Sequence, residues 1–289
     1  MKTGLVMEGG AMRGMFTAGV IDTFMHEGIT FDGAIGVSAG AAFGCNYKSH
    51  QIGRAIRYST AYSHDLRYCS LLSWILTGDL YNGKFDYEVL PSKLDIWDAD
   101  TFRKNPMEFW CVATNAKNGL PLYHPCTTGG KEDMLWIRGS ASMPIASKAV
   151  QVDGYDLLDG GISDSVPLGF FQSEGYHKNV VILTQPESYR KKPFSERMKK
   201  VMKVMLRSYP AVYEQIVTRY ERYNNEIAYI KRQEEIGNTF VIRPTESLNI
   251  GSICHDAKEL ERVYRLGVQV AREQMVDVKK FLFAKRSDT

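Results

Sequence analysis

Residues 36–40 read Gly36-Val37-Ser38-Ala39-Gly40 (GVSAG), at a point where an apolar run gives way to a helical pattern. A sharp strand-to-helix turn lifts a serine hydroxyl above the edge of a sheet, and only small neighbours such as Gly36, Ala39 and Gly40 let the backbone turn so tightly. The same five residues also fit a tight turn with a bystander serine. The segments around them decide which reading holds.

Toward the N-terminus, Thr3 to Glu8 reads as a strand, followed by the loop GGAMRG at residues 9–14 and a helical stretch from Met15 to Glu27. In that stretch Ala18, Ile21, Phe24 and Met25 recur at three- and four-residue spacing, and Gly28 stands where a helix stop belongs. FDGAIGV (31–37) reads as a second strand, and the small residues Ala41, Ala42 and Cys45 let the next helix lie tight on a sheet. The order strand, helix, strand, helix predicts a parallel crossover with both turn loops at the carboxyl ends of neighbouring strands. The glycine loop and Ser38 should therefore meet.

Further strands are expected at Phe109 to Thr114, Ala149 to Val152, Tyr155 to Leu158 and Val180 to Thr184, with helices and loops over residues 60–105. From Tyr189 the pattern changes to long charged helices, interrupted by one late strand in NTFVIRP (238–244). The expected division is an α/β domain at 1–185 and a mainly helical region at 186–289 packed on it, joined by the polar linker PESYRKKPF.

With 44% hydrophobic and 24% charged residues in 289, the composition is that of a soluble globular protein. The N-terminus carries no apolar leader, and the longest uncharged stretch, Gly33 to Tyr47, is short of the ~20 apolar residues of a membrane span. Five cysteines (Cys45, Cys69, Cys111, Cys126, Cys254) with no CxxC pair argue against a disulfide framework and against a structural zinc site. A net charge of +3 is too small to imply nucleic-acid binding. The expectation is a cytoplasmic protein, or one peripheral to the inner face of a membrane, with no metal and no cofactor. The sequence carries no signal for oligomeric state.

A serine attacks an acyl carbonyl only when a base takes its proton and donors stabilise the oxyanion. The N–H of Ala39 at a helix start, and those of Gly10, Ala11 and Met12 in the loop, are candidate donors. GGAMRG has a rival reading as a nucleotide turn. That reading lacks an acidic residue at the end of the second strand, and Met15 stands where a Walker loop needs lysine. Of the six histidines (His26, His50, His64, His124, His177, His255), none sits in a recognisable loop after a strand with an acidic partner; His124 in LYHPC stays open as a triad base. Asp159 in LLDGG, followed by Gly160 and Gly161, is the other candidate base, although an aspartate on a glycine turn is commonly an Asx turn.

Four segments in order, EGGAMRG, GVSAG, SASMP and DGGISDSVPL, make the first 185 residues resemble the patatin-like phospholipases, lipid acyl hydrolases that use a Ser-Asp dyad without histidine. The resemblance implies an α/β three-layer fold with a mostly parallel central sheet, here with a helical C-terminal extension. It implies Ser38 as nucleophile, Asp159 as base and a lipid or other acyl ester as substrate. Gly9, Gly10, Arg13 and Gly14 match the family's loop, with Arg13 orienting it, while Ala11 replaces its third glycine. A catalytically inactive lipid-surface module and a nucleotide-binding protein are the alternatives.

Between residues 190 and 207 eight basic residues face one acid, Glu196, and alternate with Met198, Val201, Met202, Met205 and Leu206. Such an amphipathic segment suits an anionic membrane surface, or equally a solvated helix that packs its methionines on the core.

Overall fold

Period-two alternation in the first strand settles the layering. In β1 (Lys2–Met7) the residues Leu5, Val6 and Met7 have no solvent exposure, yet Leu5 and Met7 belong to one apolar core and Val6 to another. A strand buried on both faces must lie inside a sheet covered on both sides. The computed structural model describes residues 2–283 and shows that arrangement.

Over the described residues, eight strands form one sheet: β1, β2 (Gly33–Val37), β3 (Glu108–Asn115), β4 (Pro121–Cys126), β5 (Val150–Val152), β6 (Tyr155–Asp159), β7 (Tyr176–Ile182) and β8 (Thr239–Ile242). Their order is β5-β6-β3-β2-β1-β7-β8, with β4 also paired to β3. The pairs β3–β2, β2–β1, β1–β7 and β7–β8 are parallel, and β4, β5 and β6 run antiparallel at one end. The α/β class with a mostly parallel sheet is thus as the sequence implies.

The helices are α1 (Gly14–His26), α2 (Ala39–Lys48), α3 (Arg54–Ala61), α4 (Leu71–Thr77), α5 (Ala99–Lys104), α6 (Lys131–Ser140), α7 (Leu168–Ser173), α8 (Glu196–Met205), α9 (Pro210–Glu235), α10 (Ala257–Glu273) and α11 (Met275–Phe283). α1, α2 and α10 share the Leu5–Met7 core, and α7 and α9 close the opposite face. Gly28 ends α1 at φ 65°: its N–H reaches Met25 O, and Ile29 N–H reaches Phe24 O, the paired bonds of a left-handed C-terminal cap.

Three elements differ from expectation. β4 is a strand despite Pro121 and Pro125, which argue against one in the sequence; the ladder tolerates them because β4 pairs with β3 alone. β7 begins at Tyr176, four residues earlier than its apolar run, since Tyr176 stacks on Phe171 at 3.9 Å and is fully buried. The long C-terminal helical pattern divides at Gln274 into α10 and α11.

α10 crosses α1 at two glycines. A Cβ on Gly19 would stand 2.1 Å from Tyr264 O, and one on Gly267 would stand 2.1 Å from Phe16 O, so the backbones touch. We expect Gly267→Val to force the helices apart and cost ~3 kcal/mol of unfolding free energy, read as a lower urea midpoint.

Candidate active site

Ser38 directly follows β2 and occupies the N-cap of α2 with φ 54° and ψ −120°, a conformation that costs a non-glycine residue about 1–3 kcal/mol. Its surroundings over-determine it. The Ser38 N–H donates to Ser140 Oγ at 2.9 Å, and its carbonyl accepts the N–H groups of Ala41 and Ala42 at 3.0 and 2.9 Å. A Cβ on Gly40 would stand 2.4 Å from Met7 O, so α2 can lie this close to β1 only with glycine there.

The glycine loop crosses directly over this turn. A Cβ on Gly9 would be 3.0 Å from Ser38 Cβ, and one on Gly14 would be 2.8 Å from Ala39 Cβ. Ala11 to Arg13 form a 3₁₀ turn closed by Arg13 N–H to Gly10 O at 3.1 Å. Ala39 is the first residue of α2, and Ala11 and Met12 open their turn, so these N–H groups have no intrahelical acceptor. Ala11 sits at φ 49°, where the glycine it replaces would be unstrained.

Asp159 ends β6. Both candidate residues lie along one edge of β3, whose other edge is taken by β4: Val37, just before Ser38, pairs with Val112, and Asp159 pairs with the next residue, Ala113. The carboxyl ends of β2 and β6 therefore meet on that edge, which brings the two side chains together. Asp159 is 2% exposed; its N–H donates to Ser142 O at 2.8 Å, its carbonyl accepts Thr114 Oγ1 at 2.8 Å, and its Oδ1 accepts Gly161 N–H at 2.8 Å. A Cβ on Gly160 would be 2.0 Å from Val112 O, so the turn after Asp159 has no room for a side chain. SASMP is thus scaffold: Ser140 holds the Ser38 amide, and the Ser142 carbonyl holds that of Asp159.

The Ser38 side chain lies within hydrogen-bonding reach of the Asp159 carboxylate. Burial holds the Asp159 pKa above the ordinary carboxylate value, while Ser38, the positive charge of Arg219 and the Gly161 N–H partly restore the ionised form. Glu8, buried at the end of β1, accepts Thr184 N–H at 2.6 Å and Tyr223 O–H at 2.9 Å, which ties the glycine loop to β7 and α9.

These groups open into a cavity of about 480 Å³, lined by Ser38 and Asp159 at one end and by Phe43, Tyr58, Tyr87 and Leu90 along its apolar wall. Among the described residues no histidine lines it. His124 lies on β4, stacked on Trp136 at 4.3 Å, with Nε2 3.3 Å from Asp133 Oδ1. His124, Cys126 and Asp133 have ligand atoms within 4.8 Å of one another, but Asp133 Oδ2 already accepts the N–H groups of Thr128 and Gly129. The trio is therefore a satisfied loop anchor.

Sequence reasoning missed Glu8, Lys191, Arg219 and Tyr223, all of which line the same cavity. Only the acidic end of an otherwise apolar first strand signalled Glu8; helical periodicity does not say which turn of α9 will face a distant loop.

Residues 5–171, more than half the chain, match the family described as patatin-like phospholipase, so the chain belongs to that family. Residues 209–283 match a second family, described as a domain of unknown function (DUF6363). The chain is 28% identical over 294 residues to the uncharacterized protein YjjU of Escherichia coli (strain K12), covering 98% of this chain and 80% of that protein. It is 26% identical over 177 residues to lysophospholipase NTE1 of Saccharomyces cerevisiae, which covers 60% of this chain and only 10% of that protein. The crystal structure of VipD from Legionella pneumophila superposes with TM-score 0.47 at 14% identity, over 96% of this chain and 67% of that one. The family implied by the four motifs is the family matched, and membership supports lipid hydrolase activity.

Because the folded state holds the Asp159 proton more tightly than the unfolded chain, the stability linked to that proton is present below the ordinary value of 3.8 and is lost as pH rises through the raised one. Asp159→Asn should therefore raise unfolding free energy by ~1 kcal/mol at neutral pH, with the gain shrinking near pH ~4, as read by urea denaturation. A less stable Asn variant at neutral pH would mean that the carboxylate is not under desolvation stress.

Proposed function

We propose that the chain hydrolyses carboxylic esters of lipids through an acyl-enzyme, with Ser38 as nucleophile and Asp159 as the general base. One observation carries the reading: a solvent-starved carboxylate faces the side chain of a strained serine beneath a loop whose first N–H groups have no intrahelical acceptor. Asp159 takes the proton as Ser38 Oγ adds to the ester carbonyl, and the N–H groups of Ala39, Gly10, Ala11 and Met12 receive the oxyanion. The leaving alcohol collects the proton from Asp159. Water then gives a proton to Asp159 while its oxygen attacks the acyl carbonyl, and the carboxylic acid leaves as Ser38 Oγ is reprotonated. The aromatic and aliphatic wall of the cavity suits an acyl chain.

The substrate side faces a membrane surface in this reading. On α4, Leu71, Leu72, Ile75 and Leu76 are exposed, and Trp74 Nε1 ties that helix to Ile145 O at 2.9 Å beside the cavity-lining Met143. On α8, Met202 packs inward, as does Leu206 just beyond it; Met198, Val201, Val204 and Met205 are exposed beside Arg197, Lys200 and Lys203. The methionines are therefore not all core, and apolar residues interleaved with cations fit an anionic bilayer. No described helix is long and apolar enough to cross a membrane.

A fluorophosphonate probe should label Ser38, with the adduct mapped by mass spectrometry and absent in Ser38→Ala. Asp159→Asn should lower ester turnover by ~10³-fold or more while the protein stays folded. Retained turnover would remove the aspartate from the mechanism. In sedimentation with phosphatidylglycerol vesicles, Ile75→Asp/Leu76→Asp should weaken partitioning about tenfold, and added salt should weaken binding of the parent protein further.

A further inference from the structure

Three cations line the end of the cavity that holds Ser38 and Asp159: Arg13 from the glycine loop, Lys191 from the linker and Arg219 from α9. Among the described residues none of them forms an ion pair with a carboxylate within 4.0 Å. Arg13 folds back over its own loop, where a Cβ on Gly10 would stand 3.3 Å from its Nε, and that Nε is buried with no hydrogen-bond partner. Arg219 lies beside Asp159, its NH2 group 2.8 Å from where a Cβ on Gly161 would be, and its contacts are to the neutral Ser165 Oγ at 3.4 Å. Lys191 sits 5.0 Å from the centre of the Tyr223 ring, its backbone clamped to Asn224 through two hydrogen bonds of 3.0 Å.

Two of the carboxylates facing these cations are already engaged. Glu8 is held by Thr184 and Tyr223, and Asp159 by Ser38 and Gly161. Burial beside Asp164 pushes Glu226 toward its neutral form. Burial, joined by the nearby Arg219 and Arg13 charges and partly offset by Glu8 and Glu226, pushes Lys191 down to about 8. Three cations without a carboxylate partner are stabilised by an anion, and a phosphate has enough oxygens to accept from two guanidinium forks and one ammonium at once.

Resting on the ester-hydrolase reading, we infer that Arg13, Lys191 and Arg219 form a cradle for the phosphate of a glycerophospholipid or lysophospholipid, so the site selects acyl esters with a phosphate a few bonds from the scissile carbonyl. Lys191 and Arg219 lie outside the patatin-like segment, and Arg219 and Tyr223 lie in the second matched segment, residues 209–283. That second segment thereby completes substrate recognition in the catalytic cavity of its neighbour.

The test uses ether lipids, which bind without being cleaved. Titration calorimetry below the micellar threshold compares a 1-O-alkyl glycerophosphate with the 1-O-alkyl glycerol of the same chain length. The phosphate lipid should bind at least ~tenfold tighter, and Lys191→Met and Arg219→Gln should each reduce that ratio about tenfold, with Arg219→Lys retaining part of it. Reading a ratio cancels any loss common to both lipids, including an effect on Asp159. Equal binding of the two lipids, or a ratio unchanged in the variants, overturns the cradle, as does inorganic phosphate binding as tightly as the phosphate lipid. Failure of the fluorophosphonate to label Ser38, with the lipid preference intact, would instead strike the hydrolase reading and leave the cradle standing.

Discussion

A carboxylate that has given up its water must be repaid by its neighbours or become neutral, and the carboxyl end of this sheet is organised around that constraint at Asp159. Three contacts favour its charge: the Ser38 side chain, the Gly161 N–H and the more distant Arg219 guanidinium. They do not fully offset burial, and the remainder is basicity. The pairing of first β2 and then β6 along one edge of β3 is what allows this, because the carboxyl ends of the two strands meet at Val112 and Ala113 and deliver Ser38 and Asp159 to one point. Each glycine at the crossing is there because a neighbouring backbone or side-chain atom occupies the space its side chain would need.

The strain follows from the same geometry. Ser38 and Ala11 both hold positive φ, one on the strand-to-helix turn and one on the glycine loop that crosses it. Neither conformation is favourable in isolation, and both persist because α1, α2 and β1 pack too closely to relax. Stability is given up at these two turns, and tight packing elsewhere, such as the glycine contact of α1 with α10, offsets the loss.

Much of this was legible in the residues. β1, the glycine loop, α1, β2 and the Ser38 turn follow from apolar runs interrupted by small residues, and parallel pairing brings the two loops together. Asp159 needed the family motif, since an aspartate before two glycines is more often only a turn. β4 was hidden by its prolines, and the start of β7 by the polar residues His177 to Asn179. The contributions of Lys191, Arg219 and Tyr223 could not be read at all. They depend on how α9 docks some 180 residues downstream of Ser38, and a mixed-charge helix pattern does not encode which turn faces inward. Once α9 is docked, Tyr223 on Glu8 and Asn224 on Lys191 bind the C-terminal third to the glycine loop and the linker.

The central claim is that Asp159, and no histidine, accepts the Ser38 proton. Its most direct test is the acid limb of kcat/KM against pH for a soluble ester. The account predicts a single limb above the ordinary carboxylate value of 3.8, displaced to still higher pH in Arg219→Gln because a favourable charge has been removed from the base. A limb near pH ~6.5 that vanishes in His124→Gln and ignores Arg219 would contradict it.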